Sequence, residues 1–231
     1  MAVYDDWDQS DIYKGTVFQI VLATVSVAIR LVARQKSPAK LWWDDFTVIV
    51  ALIFDWGLSI CYWLQIRYCG LGHANTADGR VGPEQLPKFF KLFLAIQILY
   101  FTSAVFLKTS LILLYYRIFG VVRWFRWLLA VVWVAILLYF VISSFVTVFN
   151  CRPIAFYWDK SITNGACIEE NPILQVKWIG VANLLTDFVV WSLSLPMVWR
   201  LHLSWRQKLS LSFVFLIGLL YVFSSALFKF W

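Results

Sequence analysis

Six runs of apolar residues, each near the ~20 that a helix needs to cross a hydrocarbon core, follow one another along this chain, separated by polar gaps of which two are long. Lipid offers no partner to a backbone N–H or C=O, so such runs satisfy those groups internally and fold as helices. The runs cover residues 15–33, 45–66, 90–118, 125–149, 173–199 and 209–228. The expected fold is therefore an all-α polytopic transmembrane bundle. An acidic tail at 1–14 precedes a single transmembrane helical domain over 15–231. Composition agrees: 61% hydrophobic against 14% charged residues excludes an ordinary soluble domain, and 14 Trp, 10 Tyr and 20 Phe supply the aromatic belts of a membrane interface.

The formal charge of +7 decides between partners only through its placement. Basic residues sit in the short gaps, and no basic stripe with motif spacing supports nucleic-acid binding. Arg30, Arg34, Lys36 and Lys40, then Arg117, Arg123 and Arg126, then Arg200, Arg206 and Lys208 all fall on one side, with only Asp44 and Asp45 to offset them. On the other side bases and acids balance. Positive residues stay in the cytosol, so the N-terminus is expected outside the cell or in a lumen. The tail, with Asp5, Asp6, Asp8 and Asp11, has neither the basic start nor the cleavage site of a secretory signal and is expected to be retained.

The two long gaps then lie on the outer, oxidising face. The first, CGLGHANTADGRVGPEQLP, reads as irregular structure. The second, from Asn150 to Pro172, holds Cys151 and Cys167, which can bridge. Cys69 lies on the same face and competes for either partner, whereas Cys61 falls inside a run and reads as a small packing residue. No N-x-[ST] acceptor occurs.

Ionisable groups inside the runs carry the functional question. Asp55, Lys108 and Asp187 lie about ten, nine and twelve residues from the cytoplasmic ends of their runs, depths that agree within about one helical turn. Asn183 precedes Asp187 by one turn and shares its face. A paired cluster of Asp187, Asn183, Lys108 and Asp55 makes such burial tolerable and offers a ligand or a proton a polar floor. The plainer alternative has Lys108 reaching to the cytosol and Asp187 neutral, bonded to Asn183 or to a backbone carbonyl. Asp44 and Asp45 open the second run, where they suit a helix N-terminus or a pairing with Arg30 and Arg34. Half of a metal–diphosphate site is the sharper alternative, but DDFTV lacks the further acids. Pro196 is expected to kink the fifth helix.

Other chemistries find little support. His73 and His202 fall on opposite faces, Gly70-Leu-Gly72 lacks the third glycine of a dinucleotide fingerprint, and no G-x-S-x-G elbow is present. A retinal chromophore would need a lysine in a late span; Lys229 stands at the extreme end and Lys108 in the third run, so a light-driven function is not expected. Neither cofactor nor metal is expected.

The segments IRLVAR, LWWDDF, GLGH, KTSLILLYYRIF, FNCRPIAFYWD through GACI, and NLLTDFVVWSLSLPMVWRL occur in that order. Together they resemble the fungal rhodopsin-like integral membrane proteins, a family that includes a membrane protein of the satratoxin gene cluster and receptor-like proteins of pathogenic fungi. The resemblance implies a fungal origin and a seven-helix bundle with its N-terminus outside. The family positions kept here are Asp44, Asp45, Lys108, Cys151, Cys167, Asn183 and Asp187. The chain stops at Trp231, before a seventh helix, and is expected to be a shortened version of that bundle whose unpaired face favours self-association. The leading functional expectation is a membrane protein of fungal toxin or secondary-metabolite biosynthesis that holds or senses a small apolar molecule. A receptor-like sensor is the first alternative. A small membrane-embedded cyclase, with Asp187 or Asp55 as general acid, is the second.

Overall fold

A computed structural model of the chain describes residues 9–36, 42–69, 86–120, 122–159, 162, 165–169 and 172–200. Five long helices account for most of them: α1 (Gln9–Lys36), α2 (Trp43–Cys69), α3 (Leu86–Phe119), α4 (Arg123–Val148) and α5 (Pro172–Arg200). Four of these, α1 to α4, are long and apolar enough to cross a membrane. The protein is an all-α membrane protein. The run at 209–228 lies outside the described residues.

Each helix overruns its apolar stretch at one end or both. Apolarity marks the hydrocarbon slab, whereas the hydrogen-bonded ladder continues into the interface. α1 thus begins at Gln9 rather than Gly15, which allows Tyr13 to pack on Trp63 of α2, the rings tilted and their centroids 5.8 Å apart. The start of α2 is fixed locally: the Asp45 carboxylate accepts the backbone N–H of Trp42 at 3.3 Å, the reach-back half of a capping box.

The described helices fall into two compact units, Met1–Ser110 with Tyr139–Ile168, and Leu111–Leu138 with Glu169–Trp231. In the first unit α1 and α2 run antiparallel and are zipped along their length. Below the Tyr13–Trp63 pair, Gln19 donates to Asp55 at 3.2 Å, the Trp56 indole donates to Thr24 at 3.1 Å, and Arg30 meets Asp44 at 2.9 Å. α3 joins α2 through two hydroxyls that donate to backbone carbonyls, Ser103 to Ala51 at 3.0 Å and Ser110 to Asp44 at 2.7 Å. The rings of Phe54 and Phe106 stack beside them.

After α4 the chain forms a small hairpin. β1 (Cys151–Arg152) pairs antiparallel with β2 (Ala166–Cys167), the cysteines sit opposite one another, and a disulfide joins them as expected for two cysteines in one gap. A short 3₁₀ helix (Ile154–Tyr157) fills the loop. It returns the chain to α3, where the rings of Tyr157 and Phe90 meet edge-on at 5.8 Å and Lys91 lies 5.4 Å over the Trp158 ring. Cys69 is a buried free thiol and Cys61 is half-buried.

In the second unit Phe125, Leu129 and Ile136 are fully buried along one face of α4. α5 opens on Pro172, a residue that loses nothing at a first helical position because its missing N–H would have no partner there. The helix continues past Pro196 to Arg200.

What the helices turn outward is apolar. Phe18, Leu22, Val25, Ile29 and Val32 form an exposed stripe at helical spacing on α1, and Val131, Leu138, Ile142 and Phe145 do the same on α4. A soluble protein does not expose patches of this extent; contact with lipid accounts for them. Trp124 and Trp127 are exposed beside Arg123 and Arg126, the mixture found at a membrane interface.

Candidate functional site

The most completely built polar constellation joins α1 to α2. Arg30 and Arg34 stand one turn apart on α1 and so share a face. Both place an Nη2 at 2.9 Å from Asp44 Oδ2, and their Nε atoms lie 3.3 and 3.7 Å from Asp45 Oδ1. The two carboxylates are completely buried while the guanidinium groups keep about a fifth of their surface. The arrangement is neutral overall. Arginines at the C-terminal end of α1 and aspartates at the N-terminal end of α2 also each complement the local helix dipole. Because Ser110 holds the Asp44 carbonyl, the cluster fixes the same end of three helices.

The four residues read as a polar floor are divided between the two units, Asp55 and Lys108 in the first and Asn183 and Asp187 in the second. Asp55, on α2 in the first unit, is half-buried and accepts from Gln19 of α1. Gly57 packs against Leu99 and Ala51 against Ser103, so Asp55 stands level with the turn of α3 around Phe101. Lys108 is buried in the same unit, with Nζ 5.9 Å above the Tyr139 ring. Such an ammonium keeps part of its stabilisation through the ring's negative face. Asn183 and Asp187 belong to the second unit, where the Asn183 amide donates to Asp187 Oδ2 at 3.2 Å and Asn183 is buried. The Thr186 hydroxyl donates to the Asn183 carbonyl at 2.7 Å and stiffens that turn.

Gln19 and Tyr139 were not singled out from sequence. Neither belongs to a motif, and each became visible only when a neighbouring helix supplied Asp55 or Lys108. Four further buried polar residues, Gln65, Gln97, Thr147 and Tyr157, were also missed. A weak signal existed for Gln65: Asp44, Ala51, Leu58 and Gln65 recur every seventh position of α2, and all four are buried. In the hairpin, burial pushes the Tyr157 phenol up to about 12. Among the described residues no group of three His, Cys, Asp or Glu could hold a metal ion.

The sequence matches the family model of the fungal rhodopsin domain over residues 29–228. The chain belongs to the fungal rhodopsin family. The matched part of this fungal rhodopsin domain contains the Arg30–Asp45 cluster, all four floor residues and the disulfide hairpin. Relatives include an SAT4 family membrane protein of Emericella nidulans, 35% identical over 67% of this chain and 41% of its own length. The polyenoic acids biosynthesis gene cluster protein Ba17b of Metarhizium anisopliae is 28% identical over 81% of the chain and 51% of that protein. The wortmanamides biosynthesis cluster protein C of Talaromyces wortmannii is 26% identical over 77% of the chain and 48% of that protein. The chain thus spans about half the length of the curated relatives it matches. No solved structure matches it.

Proposed function

We propose that this protein is a membrane component of fungal secondary-metabolite biosynthesis that holds or senses a small, largely apolar molecule between its helices. The observation that carries the reading is that two relatives, aligned over most of this chain, are named for biosynthetic gene clusters. Membrane helices suit that role, since apolar intermediates partition into lipid and are best handled there. In this reading the chain has six spans of a seven-helix rhodopsin-like bundle, with the N-terminus extracellular or lumenal and the basic gaps cytosolic. Asp187, Asn183, Lys108 and Asp55 supply the few polar groups that orient a bound molecule in an otherwise apolar site. Burial of Lys108 and Asn183 supports that assignment.

The test is metabolite profiling of a fungal strain lacking the gene, complemented in parallel by wild type and by Asp187→Asn, with membrane abundance followed by immunoblot. A metabolite that disappears on deletion, returns with wild type and stays absent with Asp187→Asn at normal abundance supports both the pathway and the residue. Loss of abundance in the variant assigns Asp187 to structure instead. An unchanged profile on deletion overturns the pathway role in favour of sensing.

A further inference from the structure

We propose that the disulfide end of the first unit carries a second binding site, for an uncharged molecule bearing amide or hydroxyl groups, lined by Gln97, Thr147 and Tyr157. Each of these residues is more than nine-tenths buried, at 7%, 0% and 5% exposed. Each also keeps polar atoms without a hydrogen-bond partner: both Nε2 and Oε1 of Gln97, Thr147 Oγ1 and the Tyr157 hydroxyl. The orphaned hydroxyl of Thr147 is informative, because other helical threonines solve the problem locally. Thr16, Thr24 and Thr102 all donate to the carbonyl one turn back, at 2.7 to 2.8 Å. Thr147 forgoes that bond. A buried polar group left unpaired is costly, so several on different elements of one small region imply an occupant that pairs them.

Register brings the three together. Residues seven and eleven apart on a helix are offset by only about 20° around its axis, so Phe90, Gln97 and Lys108 share a face of α3. That face is pinned at both ends, by Lys108 over Tyr139 and by Phe90 against Tyr157. Gln97 lies between the two pins on α3, and Thr147, two turns beyond Tyr139, lies between them on α4. The orphaned groups comprise an amide donor, an amide acceptor and two hydroxyls, with no ionised side chain among them. Lys91, next to Phe90, is committed to the Trp158 ring. Neutral donors and acceptors in a low-dielectric setting select a neutral ligand, since a charged one would be stripped of water without compensation.

This site is independent of the polar floor around Asp187, and its test separates the two. The full chain in lipid nanodiscs is titrated with decanamide and, in parallel, with decanesulfonate, and thermal unfolding and tryptophan fluorescence are followed. The expected result is a saturable rise in Tm and a saturable fluorescence change with decanamide alone. In Gln97→Leu the midpoint should weaken about tenfold, with the ligand-free Tm equal to or above wild type, because an unpaired amide has been replaced by a similar apolar volume. Asp187→Asn should leave the decanamide midpoint unchanged. Equal responses to the two probes, which report mere partitioning, would overturn the proposal. So would a Gln97→Leu protein with a lower ligand-free Tm and an unaltered response, which would mean internal water or packing pairs the amide.

Discussion

Two buried carboxylates held by two arginines behave very differently from a surface ion pair. Removing the Asp44 carboxylate strands Arg30 and Arg34 on a face built to receive them, and breaking a buried pair of this kind costs about 3–5 kcal/mol. Asp44→Ala should therefore lower Tm sharply and reduce extractable folded protein, whereas Thr47→Ala, a half-buried hydroxyl that bonds only carbonyls of its own helix, should cost far less. Circular dichroism of the two purified variants checks this. Gly165 is a second sensitive position. A Cβ there would overlap the Phe156 ring, so Gly165→Ala must displace the ring or open the hairpin, at about 1–3 kcal/mol. Tyr157 adds a pH dependence whose sign follows from its raised phenol, which reaches about 12 in the folded protein against 10.0 ordinarily. Below pH 10 the phenol is neutral folded or unfolded. Between about 10 and 12 only the unfolded chain releases the proton, so stability falls as pH rises through that window. Tyr157→Phe should flatten this loss, read as Tm against pH.

At the scale of elements, the hairpin is the feature whose integrity rests on one bond. Closing a loop of about this size by a disulfide stabilises by ~3 kcal/mol in the chain-entropy account. The bond also places Tyr157 and Trp158 against Phe90 and Lys91, so its loss should release the end of α3 as well as the hairpin. With four cysteines in the chain, maleimide should label two in the denatured, unreduced protein and four after reduction, the first pair being Cys61 and Cys69. Labelling of Cys69 only after Cys167→Ser would show that the hairpin also shields that buried thiol. The α1–α2 pair is the complementary case. It is zipped at four levels along both helices and should unfold as one element, late and cooperatively, in hydrogen exchange.

The molecule as a whole is defined by its apolar exterior. Exposed stripes on α1 and α4 require lipid, so the protein should resist alkaline carbonate extraction and aggregate when detergent is removed. In the proposed topology, a tag ahead of Met1 is reached by antibody on intact spheroplasts, and a tag inserted after Gly120 is reached only after permeabilisation. The reverse pattern would invert the bundle and move the Arg30–Asp45 cluster to the outer face.

Apolar runs were enough to place five helices, every end within four residues except the start of α1, which lies six residues earlier, because burial in hydrocarbon and helix formation are imposed by the same local run of side chains. The cysteine bridge was legible for a similar reason: two cysteines in one short gap need no distant information. The Asn183–Asp187 bond, too, is a matter of one helical turn. What the chain could not disclose alone was the set of partners that lie across helices. Gln19 for Asp55 and Tyr139 for Lys108 depend on antiparallel register between segments tens of residues apart. Register between spans is decided by tertiary packing, through contacts such as Ser103–Ala51 and Ser110–Asp44, and no local pattern of hydropathy encodes it.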